Sequence, residues 1–206
     1  MPFLGDYKIY DTAEPCNYTG QKLIDTMEKV VSDGLSADGR ELNLMGCCVG
    51  PNGINLIVED ERLVKVKRLN LGGNKIGDDG AKILALAEVF AKVNWLELGG
   101  NDIGPEGIQF LIMSDTLTRL KTLNLYRNYL KDEGAIVLAN ENRLANLEEM
   151  DLAQNEIGDK GVLALGNSTK FPNLVSVCID NNFASKKSLD SAKLSPNFKK
   201  LQAFNC

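Results

Sequence analysis

One position recurs along this chain every 27 residues: Asn74, Asn101, Asn128, Asn155 and Asn182, with Cys47 in register one period earlier. Three residues before it stand Leu44, Leu71, Leu98, Leu125, Leu152 and Ile179. Two further back are Leu42, Leu69, Leu96, Leu123, Met150 and Val177. Another three back come Val66, Val93, Leu120, Leu147 and Leu174, and Gly39 breaks this column in the first unit. A chain built this way stacks copies of one supersecondary unit, each burying its apolar face on its neighbours.

The unit itself is readable. Alternating apolar residues at 42/44, 69/71 and onward give a short strand with one buried face. The recurring Asn offers both a carbonyl and an amide, so it is expected to form a ladder that satisfies backbone groups of adjacent turns. Gly50, Gly77, Gly104 and Gly158 are expected in a tight turn of unusual dihedrals. Asp78, Asp132 and Asp159 then fall where the cap of a following helix belongs. Ile83/Leu84, Phe110/Leu111 and Val137/Leu138 continue at helical spacing. A last apolar column, Leu63, Phe90, Leu117, Leu144, Phe171 and Phe198, closes each turn. Before the array, Leu23, Ile24, Met27, Val30 and Val31 share one face of a helix over 20–33. After it, Phe198, Leu201 and Phe204 begin a strand that stops short.

Segments such as KRLNLGGNKIGDDG and NWLELGGNDIGPEG resemble the leucine-rich repeat family, whose pattern is L-x-x-L-x-L-x-x-N/C-x-L. The resemblance covers residues 39–206. The 27-residue period and the following I-G-x-x-G-x-x-x-L half place it nearest the ribonuclease-inhibitor-like class. It implies an α/β fold, a right-handed solenoid with a curved parallel sheet on its concave face and helices on its convex face. The expected organisation is an amino-terminal arm and capping helix over 1–38, then about six repeats over 39–206 with a degenerate last one.

Composition excludes several chemistries. The 206 residues contain no histidine, which removes His-based nucleophilic systems and His-ligated zinc. A formal charge of −5 argues against tracking nucleic-acid phosphates. The Gly72-Gly73-Asn74 and Gly99-Gly100-Asn101 runs lack the GK[ST] ending of a phosphate loop and fall at repeat positions. Cys47-Cys48 is an adjacent pair without metal-ligand spacing, so no metal site and no cofactor are expected. No apolar stretch is long enough to insert into a membrane. The opening MPFLGDYKIYD lacks the features of a secretion signal. Five cysteines in no framework spacing suit a reducing compartment. Those points give an expectation of a cytoplasmic, or nuclear, protein that is monomeric alone.

What remains is a surface. The residues between the strand leucines, Asn43, Asn70, Glu97, Asn124, Asp151 and Cys178, are expected on the concave face. So is the column Glu41, Arg68, Trp95, Thr122, Glu149 and Ser176. Trp95 is the single tryptophan. Tyr126 and Arg127 lie one repeat along, beside a floor of four glycines. Trp, Tyr and Arg are the types enriched at interface hot spots. Basic residues (Arg40, Lys67, Arg68, Lys121, Arg127) gather towards the first four repeats, and acidic ones (Glu148, Glu149, Asp151, Asp180) in the last two. The expectation is a non-enzymatic module that binds a protein partner through Arg68, Trp95, Glu97, Asn124, Tyr126, Arg127, Glu149 and Asp151. The alternative is a regulatory or structural subunit of a larger assembly, with a GTPase-activating-protein-like or tropomodulin-like role.

Overall fold

In the computed structural model residues 18–204 are described. Strand and helix alternate through them. The strands are β1 (Glu41–Asn43), β2 (Arg68–Asn70), β3 (Trp95–Glu97), β4 (Thr122–Asn124), β5 (Glu149–Asp151), β6 (Ser176–Cys178) and β7 (Ala203–Phe204). The helices are α1 (Gly20–Gly34), α2 (Gly50–Ile57), α3 (Gly77–Leu86), α4 (Pro105–Ile112), α5 (Lys131–Glu141), α6 (Asp159–Asn167) and α7 (Lys186–Lys193).

Among the described residues the strands form one parallel sheet in chain order. Each pairs in a register that lines up the 27-residue columns: Leu42, Leu69, Leu96, Leu123, Met150, Val177 and Phe204 stand side by side. All seven are buried, and they face a single continuous core beneath the helices. Paired strands sit about 4.8 Å apart, whereas packed helices need roughly 8–10 Å. Stacking the two on opposite sides therefore bends the array, with the sheet on the inside of the curve.

The Asn ladder joins each turn to the next. The Asn101 side-chain amide donates to the Leu71 carbonyl (2.9 Å), and its oxygen accepts from the Asn74 N–H (3.0 Å). One period on, Asn128 donates to Leu98 and accepts from the N–H groups of Asn101 and Ile103. Asn182 closes the series on Leu152, Asn155 and Ile157. A second ladder on the helical side was not visible in the sequence. Ser114 and Ser168 are buried and donate to the carbonyls of Ala85 and Ala139, one repeat back at 2.5 Å, and Ser195 does the same to Gly166.

The aspartates do not cap their own helices. The residues preceding α3 and α5 are Ile76 and Leu130, with no side-chain cap. Instead each carboxylate reaches forward to the next repeat. Asp78 accepts from the Gly104 N–H at 2.7 Å, and Asp132 accepts from those of Gly158 and Gly161, both at 2.8 Å. Asp159 accepts from the Ser185 N–H (2.6 Å) and the Ser188 hydroxyl (2.7 Å), which hold its carboxyl below the usual range. The physical reason is that α4 and α6 begin after glycines, which have no side chain to satisfy their first N–H groups. This also revises the role of those glycines. Gly50 and Gly77 do have left-handed φ (59° and 62°). Gly104 and Gly158 do not (φ −103° and −93°). A Cβ on either would crowd the incoming carboxylate, at 3.2 and 3.1 Å.

At the amino end α1 buries Leu23, Met27 and Val31. Met27 packs where a Cβ on Gly53 of α2 would stand. The chain after α1 then turns back so that Leu35 bridges Leu42 and covers the first strand's edge. Of the expected amino-terminal arm, residues 1–17 lie outside the described residues. At the other end Phe198 and Phe204, ring centroids 6.2 Å apart, close the last described turn.

Candidate interaction surface

The first outward column of the sheet carries the features that suit recognition. Register places Glu41, Arg68 and Trp95 side by side on β1, β2 and β3. The Arg68 guanidinium lies over the Trp95 ring, 4.2 Å from its centroid, and its Nε is 3.5 Å from a Glu41 oxygen. With Asn43 and Asn70 they line a shallow hollow of about 200 Å3. Arg68 and Glu41 remain exposed, so their ion pair adds little stability. Its effect is to fix the orientation of a half-buried indole on an otherwise polar face.

The third strand position behaves differently from the expectation. Glu97, Asn124 and Asp151 lie in the outward column but are only 5%, 3% and 2% exposed. Each accepts a hydrogen bond from the N–H two residues on: Glu97 from Gly99 (2.7 Å), Asn124 from Tyr126 (2.7 Å) and Asp151 from Ala153 (2.9 Å). Asn43 and Asn70 likewise accept from the N–H groups of Met45 and Gly72. The Asn124 amide also donates to the second Glu97 oxygen at 2.5 Å. These polar side chains are thus spent on closing the strand ends. Of the four glycines that follow β2 and β3, Gly72, Gly73 and Gly99 are buried. The set of eight expected contact residues therefore narrows to those with accessible side chains: Arg68, Trp95, Tyr126, Arg127 and Glu149.

Charge on the face is less divided than the sequence suggests. Lys121 of the basic half pairs with Glu148 of the acidic half at 2.7 Å. Thr122 donates to Glu149 at 3.4 Å. Burial pushes the Asp151 carboxyl up to about 6, against the lowering effect of the Ala153 N–H and with a further push from the negative charge of Asp180. Cys178 of the third column is disulfide-bonded, whereas Cys47 and Cys48 are free thiols. Burial pushes the Cys47 thiol up, which disfavours the reactive thiolate. Among the described residues no cluster of three acidic or cysteine side chains is placed to hold a metal ion, and no helix is long and apolar enough to cross a membrane.

Two exposed aromatics escaped the sequence reading. Tyr129 and Phe183 are 50% and 73% exposed, on the loops that lead from strand to helix. Their column, Cys48, Lys75, Asp102, Tyr129, Glu156 and Phe183, has no constant residue type, so no repeat pattern marks it.

Comparison with known proteins adds the following. A family model described as a leucine-rich repeat matches residues 40–58, 63–85, 94–111, 116–139 and 143–166, just over half of the chain. No curated protein matches it. The solved structure of an internalin from Listeria monocytogenes is similar at 21% sequence identity with a TM-score of 0.43. The similarity spans 69% of this chain and 42% of the internalin chain.

Proposed function

Since the chain belongs to the leucine-rich repeat family, we propose that it is a non-enzymatic recognition module that binds a protein partner through its concave face. The observation that carries this reading is the Glu41–Arg68–Trp95 row. It holds an indole and a guanidinium in fixed mutual geometry on an accessible strand column, and core packing does not require either of them there. Trp and Arg anchors of this kind supply most of the binding energy in protein interfaces. Tyr126 and Arg127, in the loop after β4, and Glu149 on β5 extend the contact. A face of this kind covers about 800 Å2 on each partner, the standard for a specific complex. The mixed charges give binding that weakens with salt.

The experiment is capture from native lysate on immobilised wild type and on the folded Trp95→Ala/Tyr126→Ala/Arg127→Ala variant. A partner retained by the first and lost by the second supports the assignment. A partner set identical on both removes the concave face as the site.

A further inference from the structure

The loops of the last three turns carry a backbone feature that the first three handle with glycine. The residue before each ladder position has left-handed φ throughout: Gly46 (66°), Gly73 (67°) and Gly100 (64°), then Arg127 (53°), Gln154 (55°) and Asn181 (55°). Glycine takes this conformation freely, whereas a side chain there is strained. Three successive turns nonetheless carry one. Cys48, Lys75, Asp102 and Glu156, each one residue after a ladder position, are left-handed too (56°, 50°, 59° and 59°), so the conformation belongs to the turn of the repeat and not to these three positions alone.

Those three side chains stand beside the column that follows the ladder. Arg127, Gln154 and Asn181, with Tyr129, Glu156 and Phe183, line a groove of about 380 Å3. The groove is pre-formed. The Tyr129 and Phe183 N–H groups donate to Ile103 and Ile157 one repeat back, and those of Arg127 and Gln154 to Ala153 and Asp180 one repeat forward. Its chemistry is specific. Two exposed rings flank a carboxylate, Glu156, that is itself exposed. Gln154 and Asn181 each present a carboxamide, which can donate to and accept from a peptide backbone. A cation placed between the rings would meet the opposite charge of Glu156.

We propose that this groove docks an extended segment of a partner protein that carries a basic side chain between two apolar ones. Two solenoid turns separate Tyr129 from Phe183, roughly 10–20 Å from the strand and helix spacings. An extended chain advances about 3.3 Å per residue. The two apolar side chains should therefore be roughly three to six residues apart. The site shares only Arg127 with the concave surface and does not rest on that reading.

The test is selection of a phage-displayed random nonapeptide library on the full chain, followed by affinity measurement of the enriched peptides. Enrichment of Lys or Arg flanked by apolar residues is expected. Tyr129→Ser/Phe183→Ser should weaken those peptides at least ten-fold, Glu156→Lys should reverse the preference to an acidic centre, and Trp95→Ala should leave them unchanged. All these side chains but Trp95 are exposed, and thermal unfolding of each variant verifies its fold. Absence of enrichment would overturn the proposal. So would peptides insensitive to the double substitution, or peptides lost in Trp95→Ala alone. A concentration-dependent dimer abolished by Phe183→Ser would assign the groove to a second copy of the chain and also overturn it.

Discussion

Arg68 and Trp95, 27 residues apart in sequence and adjacent in the sheet, are stacked with the guanidinium carbon 4.2 Å from the indole ring centroid. The repeat makes this contact possible: equal spacing puts the first residue of each strand beside the first residue of the next. A cation–π contact at an exposed site is worth about 0.5–1 kcal/mol. Arg68→Ala should therefore lower stability by less than about 1 kcal/mol. It should also shift the emission of the single tryptophan to longer wavelength and increase its quenching by acrylamide. An unchanged spectrum would mean that the stack is absent in solution.

Asp151 should make stability fall as pH rises. Its carboxyl is raised to about 6 in the folded chain from an ordinary value of 3.8, so the folded state binds the proton more tightly than the unfolded one. The resulting stabilisation is complete below about pH 4 and disappears as pH passes through about 6, a change of about 3 kcal/mol. Asp60 and Asp159, whose carboxyls are lowered by their donors, act in the opposite direction and at lower pH. Asn fills the equivalent position at Asn70 and Asn124, and it keeps the acceptor for the N–H two residues on. Denaturant melts of Asp151→Asn between pH 4 and 7 should thus lose most of this slope. A slope equal to that of wild type would place the titration elsewhere.

Removing one rung of the ladder should be costly. Asn101 is fully buried, donates to Leu71 and accepts from the N–H groups of Asn74 and Ile76. Asn101→Ala leaves the two N–H groups without this acceptor, at about 1–3 kcal/mol for each unsatisfied buried group, while the Leu71 carbonyl keeps the Asn74 amide. The expected loss is roughly 2 kcal/mol or more in urea melts. Asn43→Ala, at an exposed strand end, should cost under about 1 kcal/mol. Equal costs would contradict the ladder account.

The forward reach of the aspartates gives a coupled pair. A Cβ on Gly161 would stand 2.8 Å from Asp132 Oδ1 and from the Ala135 methyl carbon. Gly161→Ala should therefore destabilise by about 1–3 kcal/mol through overpacking. Asp132→Ala should cost about 1 kcal/mol through loss of the cap on α6. Because both disturb one contact, the double variant should lose clearly less than the sum, and a double-mutant cycle measures the difference. Strict additivity would mean that the carboxylate does not hold α6.

The sequence made the strands, the shared core and the ladder legible because each recurs at one interval with one residue type. Leu69 and Asn74 are interpretable from their equivalents alone. The aspartates were legible as caps but not as caps of the following helix, since spacing within one unit does not reveal which helix end lacks a partner. Glu97, Asn124 and Asp151 misled for a related reason. Alternation places them outward, but neighbours 27 residues away and an N–H two residues on enclose them. Tyr129 and Phe183 were missed because exposure at a variable loop position leaves no pattern. The repeat placed Arg68 and Trp95 in one column, whereas their stacking required the fold.

The most direct measurement of the concave-face account uses Trp95 itself. With the captured partner purified, acrylamide quenching of this tryptophan is compared in free and saturated protein, exciting at the red edge and subtracting the partner's own emission. The account predicts that the partner shields the indole and that the quenching constant drops severalfold. A constant unchanged at saturation would place the partner elsewhere on the solenoid and contradict it.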